Sequence, residues 1–369
     1  MKILCLDQFG DLGGAQRCLL ELLPAMFNRG WSVRVAAPQG PFTQRAAALG
    51  AAAEPTVCGP YSCGRKTLAD VARMLAEAKP LAGEIRELAA GYGADLIYVN
   101  GPRLLPAVAL AARNGARVLF HSHNRLGGLS RLAAGRALAM TRAATVASCR
   151  YVARPLAAYS GRRGIRVVYN GVREIALARR SPGGPEFRIG MIGRISPEKG
   201  QAVLLRAARI LHRTSPECRF LICGAPLFSD RAAFRYRAEV EALAEGLPVE
   251  FAGWREDVES VMADLDLLVV PSVSNDATPR VIMEAFSAGV PVLAFASGGI
   301  PEIIERGVTG FLVEDRSAEA LAAGIRDLLR EPHRLREAAE NARAKARTDF
   351  SLDRYRAQMI ESIEAAMRA

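Results

Sequence analysis

The chain has 369 residues, of which 50% are hydrophobic, 24% are charged and 6% are aromatic. This composition is typical of a globular protein with a large core and two or three domains, and it excludes a disordered or fibrous chain. The seven cysteines show no CxxC spacing, which favours a reducing compartment and argues against a cysteine zinc site. Because neither a signal peptide nor an uncharged apolar stretch of about 18 residues occurs, we expect neither secretion nor a transmembrane helix.

The net charge of +11 is unevenly distributed. Residues 1–180 carry 25 Lys and Arg against 10 Asp and Glu, whereas residues 181–369 carry 24 against 28. The segment 96–173 holds 13 arginines and no acidic residue. A compositional bias towards arginine explains why Arg outnumbers Lys, but it does not explain the missing acids. We therefore interpret this segment as a surface for an anionic partner: a membrane, a phosphorylated substrate or a nucleic acid.

Short apolar runs alternate with segments of helical length, which predicts parallel strands connected by helices. The first helix is predicted at 15–29 and ends at Gly30, and a last one covers the C-terminal residues from 351. The candidate strands form two series, at 2–7, 31–38, 95–100, 116–122, 144–149 and 165–170, and at 186–193, 219–224, 249–254, 265–272, 290–295 and 310–314.

A linker rich in Gly, Pro and Ser at 178–187 separates the two series. We therefore predict an α/β protein with two doubly wound, Rossmann-like domains, at 1–178 and 185–351, that face each other across a cleft. The C-terminal helix at 352–369 is expected to pack back on the first domain. Open α/β sheets bind ligands at the carboxyl ends of their strands, so the site is expected there.

A basic loop follows the first strand of the second series. Arg194 and Lys199 come after Gly193, and Gly200 precedes a predicted helix. Two cations beside a helix N-terminus can hold a phosphate or diphosphate. A solvated basic loop is the alternative, but Lys199 is one of only five lysines in the chain. The spacing is not that of a GxxxxGK[ST] phosphate loop.

A second polar group lies where a strand, a loop and a helix follow one another at 264–295. Thr278 is predicted to cap the helix and Pro279 to be its first residue. The amides of Arg280 and Val281 would then point out of the helix N-terminus, where they suit a phosphate or the oxygens of a sugar.

Two carboxylates accompany these amides. Asp276 lies in the loop before the helix, and Glu284 lies on the helical face of Arg280. Carboxylates at this position suit the hydroxyl groups of a sugar or a ribose. For Glu284 the alternative is an ion pair with Arg280 one helical turn away.

The motifs of 186–315 resemble those of retaining glycosyltransferases with the GT-B fold, and specifically glycosyltransferase family 4 (glycosyl transferases group 1). The matching elements, in the family's order and spacing, are Gly193-Arg194, Lys199-Gly200, Asp276 with Glu284, EAFSAGVPV, SGGIPE and TGFLV. Asp276 departs from the family's usual Glu. Pro279, which has no N–H, stands where the family usually has Gly. These departures concern the sugar specificity and not the type of reaction.

Weaker echoes of the family occur in the first domain. Gly13 and Gly14 follow the first strand, where glycines allow a phosphate or substrate to approach the backbone. His121 and His123 end a strand candidate, and a third echo is YNGV at 169–172. The resemblance implies that a histidine at this strand end contacts the transferred sugar; His121 matches best and His123 is the fallback. A metal-binding pair and a structural histidine remain alternatives.

One further motif, Asp264-Leu265-Asp266, has the DxD spacing that binds a metal in another glycosyltransferase fold. It lies at the entrance to a predicted strand, and the resemblance implies a reaction that requires no metal. We interpret it as structural.

The resemblance implies transfer of a hexose, with retention, from a UDP- or GDP-linked sugar donor in cell-envelope polysaccharide synthesis. No metal and no cofactor besides this donor substrate are expected. Arg194 and Lys199 would stabilise the departing diphosphate. The predicted catalytic residues are His121, Arg194, Lys199, Asp276 and Glu284; those predicted to bind the donor are Gly13, Gly14, Arg194, Lys199, Arg280, Val281 and Glu284.

The acceptor is expected on the first domain as an anionic lipid-linked saccharide or an oligosaccharide. The basic segment predicts a cytoplasmic chain held peripherally at the inner face of the membrane. A non-catalytic sugar-nucleotide-binding scaffold is an alternative, supported by the departures at Asp276 and Pro279. A nucleic-acid-binding protein is a weaker alternative, because no nucleic-acid motif occurs and aromatic residues are few; we expect no nucleic-acid partner.

Overall fold

The structure of the protein, a computed structural model, describes residues 1–56, 58, 68–112, 116–161, 164–176, 185–226, 231–274 and 276–368. Most of the predicted linker at 178–187 lies outside these ranges. The described residues divide into two compact units, Met1–Asn170 with Asp353–Ala369, and Gly171–Leu352.

The first unit contains a sheet of seven parallel strands in the order β3-β2-β1-β4-β5-β6-β7. The strands are β1 (Lys2–Leu6), β2 (Ser32–Ala37), β3 (Ala52–Pro55), β4 (Leu96–Val99), β5 (Arg117–Ser122), β6 (Ala144–Ala147) and β7 (Ile165–Val167). The helices are α1 (Gly14–Asn28), α2 (Pro41–Ala48), α3 (Leu68–Tyr92), α4 (Leu105–Ala111), α5 (Gly128–Thr141), α6 (Arg150–Ala153) and, from the end of the chain, α14 (Leu352–Arg368).

The second unit contains six parallel strands in the order β10-β9-β8-β11-β12-β13. The strands are β8 (Phe187–Ile192), β9 (Cys218–Cys223), β10 (Val249–Gly253), β11 (Leu267–Val270), β12 (Val292–Phe295) and β13 (Phe311–Val313). The helices are α7 (Gln201–Thr214), α8 (Arg231–Leu243), α9 (Val258–Ala263), α10 (Arg280–Ala288), α11 (Ile300–Ile303), α12 (Ala318–Arg330) and α13 (Pro332–Asp349).

Both sheets follow the same doubly wound plan, which confirms the predicted α/β class with two Rossmann-like domains. The order of strands reverses beside the first strand of each sheet, between β1 and β4 and between β8 and β11. Loops that leave the carboxyl ends of such a strand pair run to opposite faces of the sheet and leave a crevice for a ligand. Each unit therefore has its own candidate position for a site.

The sequence prediction located every described strand except β3. Its four residues, AAEP, are exposed or half-buried at the edge of the sheet, so they carry no run of large apolar side chains to detect. No helix within the described ranges is long and apolar enough to cross a bilayer.

Helix α14 belongs to the first unit, although it follows the second unit along the chain. The buried Tyr355 hydroxyl donates a hydrogen bond to the carbonyl of Cys18 in α1 at 3.1 Å. The Arg356 guanidinium donates to the carbonyl of Glu21 at 2.8 Å. These contacts join the end of the chain to its first helix.

We expect Tyr355→Phe to lower the free energy of unfolding of the first unit by about 1 kcal/mol, because one buried hydrogen bond is lost. Tyr355→Ala should cost about 3–5 kcal/mol, since it also leaves a cavity. Urea unfolding monitored by circular dichroism measures both. Equal stability of the Phe and Ala variants would contradict a packed α14.

Candidate functional site

The first candidate position is the carboxyl edge of β8 and β11 in the second unit. Two glycines allow the surrounding loops to pack against each other. Gly200 has φ +85°, and a Cβ atom there would lie 2.0 Å from the Pro271 carbonyl oxygen. Gly298 has φ +62°, and a Cβ atom would lie 1.9 Å from the Asp276 carbonyl oxygen. No other residue type fits either position without moving the backbone.

An ion pair connects the loops after β8 and β11. The Lys199 ammonium donates to Asp276 Oδ2 at 2.6 Å, and the Ser272 hydroxyl donates to the same oxygen at 2.9 Å. Both charged side chains are partly buried, with 26% and 15% of their surface exposed. Charge-assisted hydrogen bonds of this kind hold their partners in one geometry, so the cation and the carboxylate stand together at the strand ends.

Arg194 occupies the same loop and is held by its own acidic partner. Its guanidinium pairs with Glu198, and its carbonyl accepts a hydrogen bond from the Gln201 amide side chain at 2.9 Å. The Glu198 carbonyl in turn accepts from the Val273 amide at 3.0 Å. The two predicted phosphate-binding cations therefore lie on one loop that is tied to its neighbour.

The structure corrects the predicted start of the next helix. Helix α10 begins at Arg280, and Pro279 occupies the N-cap position with an extended backbone (φ −61°, ψ 112°). Thr278 is therefore outside the helix and is not its cap. The amides of Arg280 and Val281 remain in the first turn, where helix amides have no partner within the helix.

The Arg280 side chain lies beside Glu284, as the alternative interpretation of Glu284 as its ion-pair partner expects. Its Nε lies 3.5 Å from Glu284 Oε1, and its Nη1 donates to the Gly171 carbonyl at 3.0 Å. Ser287 of α10 also binds the segment that begins at Gly171. Its hydroxyl accepts a hydrogen bond from the Ile175 amide and donates one to the Arg173 carbonyl. Helix α10 thus holds the first residues of the second unit.

A cavity of about 20 Å³ lies among these elements. Its lining includes Gly193, Lys199, Ser272, Pro279 and Val281. Residues from three separate parts of the sequence therefore meet at one point. The structure joins Lys199 directly to Asp276, and Arg194 lies on the same loop as Lys199, paired with Glu198.

The second candidate position is the carboxyl edge of β1 and β4 in the first unit, where sequence analysis missed two residues. Asp7 follows β1 and is buried; it accepts hydrogen bonds from Gln16 Nε2 at 2.8 Å, Asn100 Nδ2 at 2.6 Å and the Phe9 amide at 2.9 Å. Asn100 follows β4. A polar residue at the end of each apolar run was the sequence signal that could have identified Asp7 and Asn100.

Asn100 connects this buried carboxylate to His123. Its Nδ2 donates to Asp7, and also to the Ala15 carbonyl at 3.2 Å. Its Oδ1 lies 2.9 Å from His123 Nε2. Because the Asn100 amide nitrogen is turned towards two acceptors, its oxygen must accept from the histidine. The network therefore places the His123 proton on Nε2.

The two histidines have different environments. His121 is buried, and its Nδ1 lies 2.6 Å from the Tyr98 hydroxyl. Burial raises the pKa of Tyr98 and lowers the pKa of His121, with His123 adding to the latter. His121 is thus a neutral, internal ring that presents no surface, whereas His123 is partly exposed. The contact of His121 with the transferred sugar, with His123 as the fallback, stays a prediction; of the two rings, His123 is the one with exposed surface.

The remaining predicted residues of the first unit lie beside this network. Gly13 caps α1, and its amide donates to Gln16 Oε1 at 3.1 Å, so that amide is engaged within the protein. Gly14 is the exposed first residue of the helix.

The DxD motif lies at the opposite edge of the second sheet, before β11. Asp266 Oδ2 accepts a hydrogen bond from the Arg188 amide at 2.8 Å, and Asp264 lies 3.9 Å from the Arg188 guanidinium. Both acids therefore contact Arg188 of β8, near the amino-terminal ends of β8 and β11. Within the described ranges, no group of three or more His, Cys, Asp or Glu side chains is arranged to hold a metal ion.

Two family models match the chain in succession. "Glycosyltransferase Family 4" matches residues 12–174, and "Glycosyl transferases group 1" matches residues 174–345. Curated relatives include a putative colanic acid biosynthesis glycosyltransferase, WcaL, from Salmonella typhimurium, 29% identical over 54% of this chain and 51% of its own. Another is the D-inositol 3-phosphate glycosyltransferase of Corynebacterium glutamicum, 33% identical over 43% of this chain and 39% of its own. The chain spans about half the length, or less, of these relatives.

Solved structures match the fold over its whole length. HepE from Anabaena, in complex with UDP and glucose, has a TM-score of 0.83 and 26% identity, covering 99% of this chain and 100% of that one. The sucrose-phosphate synthase of Thermosynechococcus elongatus has a TM-score of 0.81 and 18% identity, covering 100% and 99% of the two chains, and so supports the fold alone.

The buried Asp7 predicts a specific pH dependence of stability. Burial raises its pKa from 3.8 to about 6, although hydrogen bonds from Asn100, Gln16, Phe9 and Gln8 oppose the shift. The folded state therefore binds a proton between about pH 6 and pH 4 that the unfolded state does not bind. This group favours folding more as the pH falls through that window, by about 3 kcal/mol in total.

Asp7→Asn removes this titration. We expect the free energy of unfolding of the wild type, relative to that of Asp7→Asn, to increase as the pH is lowered from 7 to 4. Urea unfolding at several pH values measures the difference. A difference that does not change with pH would contradict the assigned burial of the carboxylate.

Proposed function

The chain belongs to glycosyltransferase family 4, with the two-domain GT-B fold, and from this premise we propose that it transfers a hexose from a nucleotide diphosphate sugar. The acceptor is an anionic saccharide, lipid-linked or part of a growing polysaccharide. Family hits along residues 12–345 support this function, as do named relatives in the biosynthesis of colanic acid and amylovoran. HepE, which is similar over its whole length, binds UDP and UDP-glucose, and this supports a UDP-linked donor.

The observation that carries the proposal is the pair of cations on one loop at the carboxyl end of β8. When the bond between the anomeric carbon and the diphosphate breaks, negative charge accumulates on the leaving diphosphate. Arg194 and Lys199 meet that charge with groups that are already positioned. Their present partners are carboxylates, which the diphosphate would replace as counter-ions.

Two carboxylates of the second unit suit the hydroxyl groups of the donor. Asp276 stands beside Lys199, and we assign to it the hydroxyls of the transferred sugar. Glu284 is assigned to the ribose: a carboxylate accepts about four hydrogen bonds, and its long 3.5 Å contact with Arg280 uses little of this capacity.

Retention is proposed through a front-face route. The acceptor hydroxyl attacks the anomeric carbon as the diphosphate departs from the same side, and the hydroxyl proton passes to a diphosphate oxygen. The sugar bond to the diphosphate breaks and the bond to the acceptor oxygen forms, so no external base or metal is needed.

The first unit is proposed to bind the acceptor. Its segment 96–173 is rich in arginine and contains no acid, which suits a phosphate-bearing saccharide. The same charge supports peripheral association with the anionic inner leaflet, at about 1 kcal/mol per basic residue near the surface.

The direct experiment measures nucleotide diphosphate release from UDP-, GDP- and ADP-sugars, with and without a membrane lipid extract. We expect slow release from one donor, stimulation by the lipid, and loss of release in Glu284→Ala. NMR of the product reports whether the anomeric configuration is retained. Binding of a donor without release or transfer would instead support a sugar-nucleotide-binding scaffold.

Arg194→Ala and Lys199→Ala should each lower kcat by about 10²- to 10³-fold, the usual effect of removing one group that stabilises developing charge. Arg237→Ala is the matched control, because Arg237 also pairs with an acid four residues later, Glu241, on the exposed helix α8. It should change kcat by less than about twofold. Equal effects of Arg194→Ala and Arg237→Ala would contradict the assignment.

Glu284→Gln should weaken the binding of the nucleoside diphosphate about 10- to 100-fold, since hydrogen bonds to a charged group contribute about 1.5–3 kcal/mol. Isothermal titration calorimetry measures this affinity. A variant with lower thermal stability but unchanged affinity would mean that Glu284 serves only as the partner of Arg280.

A further inference from the structure

The first unit contains an open groove that the donor chemistry does not use. It lies between α3, α4 and α5 and has a volume of about 570 Å³, within the range of ligand-binding pockets. Most of the residues that line it are apolar. Three of these side chains, Leu129, Leu132 and Met140, are 59%, 39% and 57% exposed. These three large apolar side chains lie on a single helix, α5. Exposed apolar side chains that cluster in this way are typical of a binding surface, whereas single exposed apolar residues are common on any protein.

The groove has a direction. Strands β4 and β5 are parallel neighbours, and α4 and α5 follow them, so both helices start at the carboxyl edge of the sheet. Leu129 lies at the start of α5 and Met140 lies near its end. Met140 lies 11 positions after Leu129, a separation of about 17 Å along the helix. The groove is therefore elongated and runs from the carboxyl edge along the helices.

The end near the sheet edge carries a buried cation. Arg103 lines the groove and is only 8% exposed. Its amide donates to Gln8 Oε1 at 3.1 Å, and its guanidinium lies 5.7 Å from the centre of the Phe9 ring. Gln8 and Phe9 directly follow Asp7. The cationic end of the groove is thus adjacent to the polar network that includes His123.

The other charged residue of the groove is also basic. Arg136 lines it from the exposed face of α5, and both α4 and α5 lie inside the acid-free segment 96–173. An apolar channel with a buried cation at one end complements an amphiphile with an apolar chain and an anionic head. It does not complement a cationic amphiphile.

We propose that this groove binds the apolar chain of a lipid-linked acceptor, with the lipid phosphate at Arg103. The inference rests on the proposed function for the identity of the acceptor, and it assigns the place where that acceptor's lipid is held. The saccharide would then extend from the phosphate along the carboxyl edge of the sheet, towards Asn100 and His123.

The test measures binding of farnesyl phosphate, below its micelle concentration, to the full chain by calorimetry. Farnesol has the chain without the phosphate, and inorganic phosphate has the charge without the chain. We expect farnesyl phosphate to bind at least tenfold more tightly than either. Equal affinities for farnesyl phosphate and inorganic phosphate would overturn the proposal.

Leu129→Asp and Met140→Asp place an acid in the groove and should each weaken farnesyl phosphate binding at least tenfold. Leu49→Asp is the matched control, because Leu49 is 43% exposed at the end of α2 in the same unit, and it should leave binding unchanged. Arg136→Gln should weaken binding and reduce its dependence on salt. Thermal melting confirms that the variants fold.

The outcome is independent of the transferase assay, because no donor is present. Donor-dependent nucleotide release without groove-dependent farnesyl phosphate binding would overturn the groove and leave the proposed function intact. Farnesyl phosphate binding without nucleotide release would support the groove and overturn the proposed transferase function. A dimer that Met140→Asp dissociates, with no effect on farnesyl phosphate binding, would identify the groove as an interface between two copies and also overturn the proposal.

Discussion

The ion pair between Lys199 and Asp276 holds together the loops at the carboxyl edge of the second sheet. It joins the loop after β8 to the loop after β11, and Ser272 supplies a second hydrogen bond to the same carboxylate oxygen. The pair forms because these loops approach closely. Gly200 and Gly298 allow this approach, since a Cβ atom at either position would collide with the carbonyl oxygen of Pro271 or Asp276. The carboxylate keeps Lys199 in one position, and a cation that is already positioned makes a charged site effective.

The two units use one topology for two different electrostatic environments. Both present polar groups at the carboxyl ends of the strands where the order reverses. In the first unit these groups form a hydrogen-bonded chain, Asp7, Asn100 and His123, which has a single acid and places the imidazole proton on Nε2. In the second unit the groups are cations on a loop, each with a carboxylate partner. The first arrangement orients an imidazole ring, and the second suits a polyanion.

Most of the fold was predictable because parallel strands buried on both faces are near-continuous apolar runs. The limits of the prediction lie where tertiary contacts decide. Strand β3 has no apolar signal, since it lies at the edge of its sheet. His121 and His123 share the same alternation, so the sequence pattern could not show that β5 ends at Ser122 and that only His123 emerges. The hydrogen bond from Arg280 to Gly171 spans 109 residues, and no local pattern encodes such a contact.

The acidic partners explain how two cations can lie partly buried on one loop. Uncompensated cations in a partly buried position would be costly, and a carboxylate beside each one removes that cost. Arg194 pairs with Glu198, and Lys199 pairs with Asp276. Under the proposed function, a diphosphate, with its greater charge, replaces these carboxylates and releases Asp276 for the hydroxyls of the sugar. Under the proposed function, the shorter side chain of Asp276 limits its reach, because the acid that pairs with Lys199 is also the one assigned to the sugar hydroxyls. The sugar would then have to approach Lys199 closely to be bound.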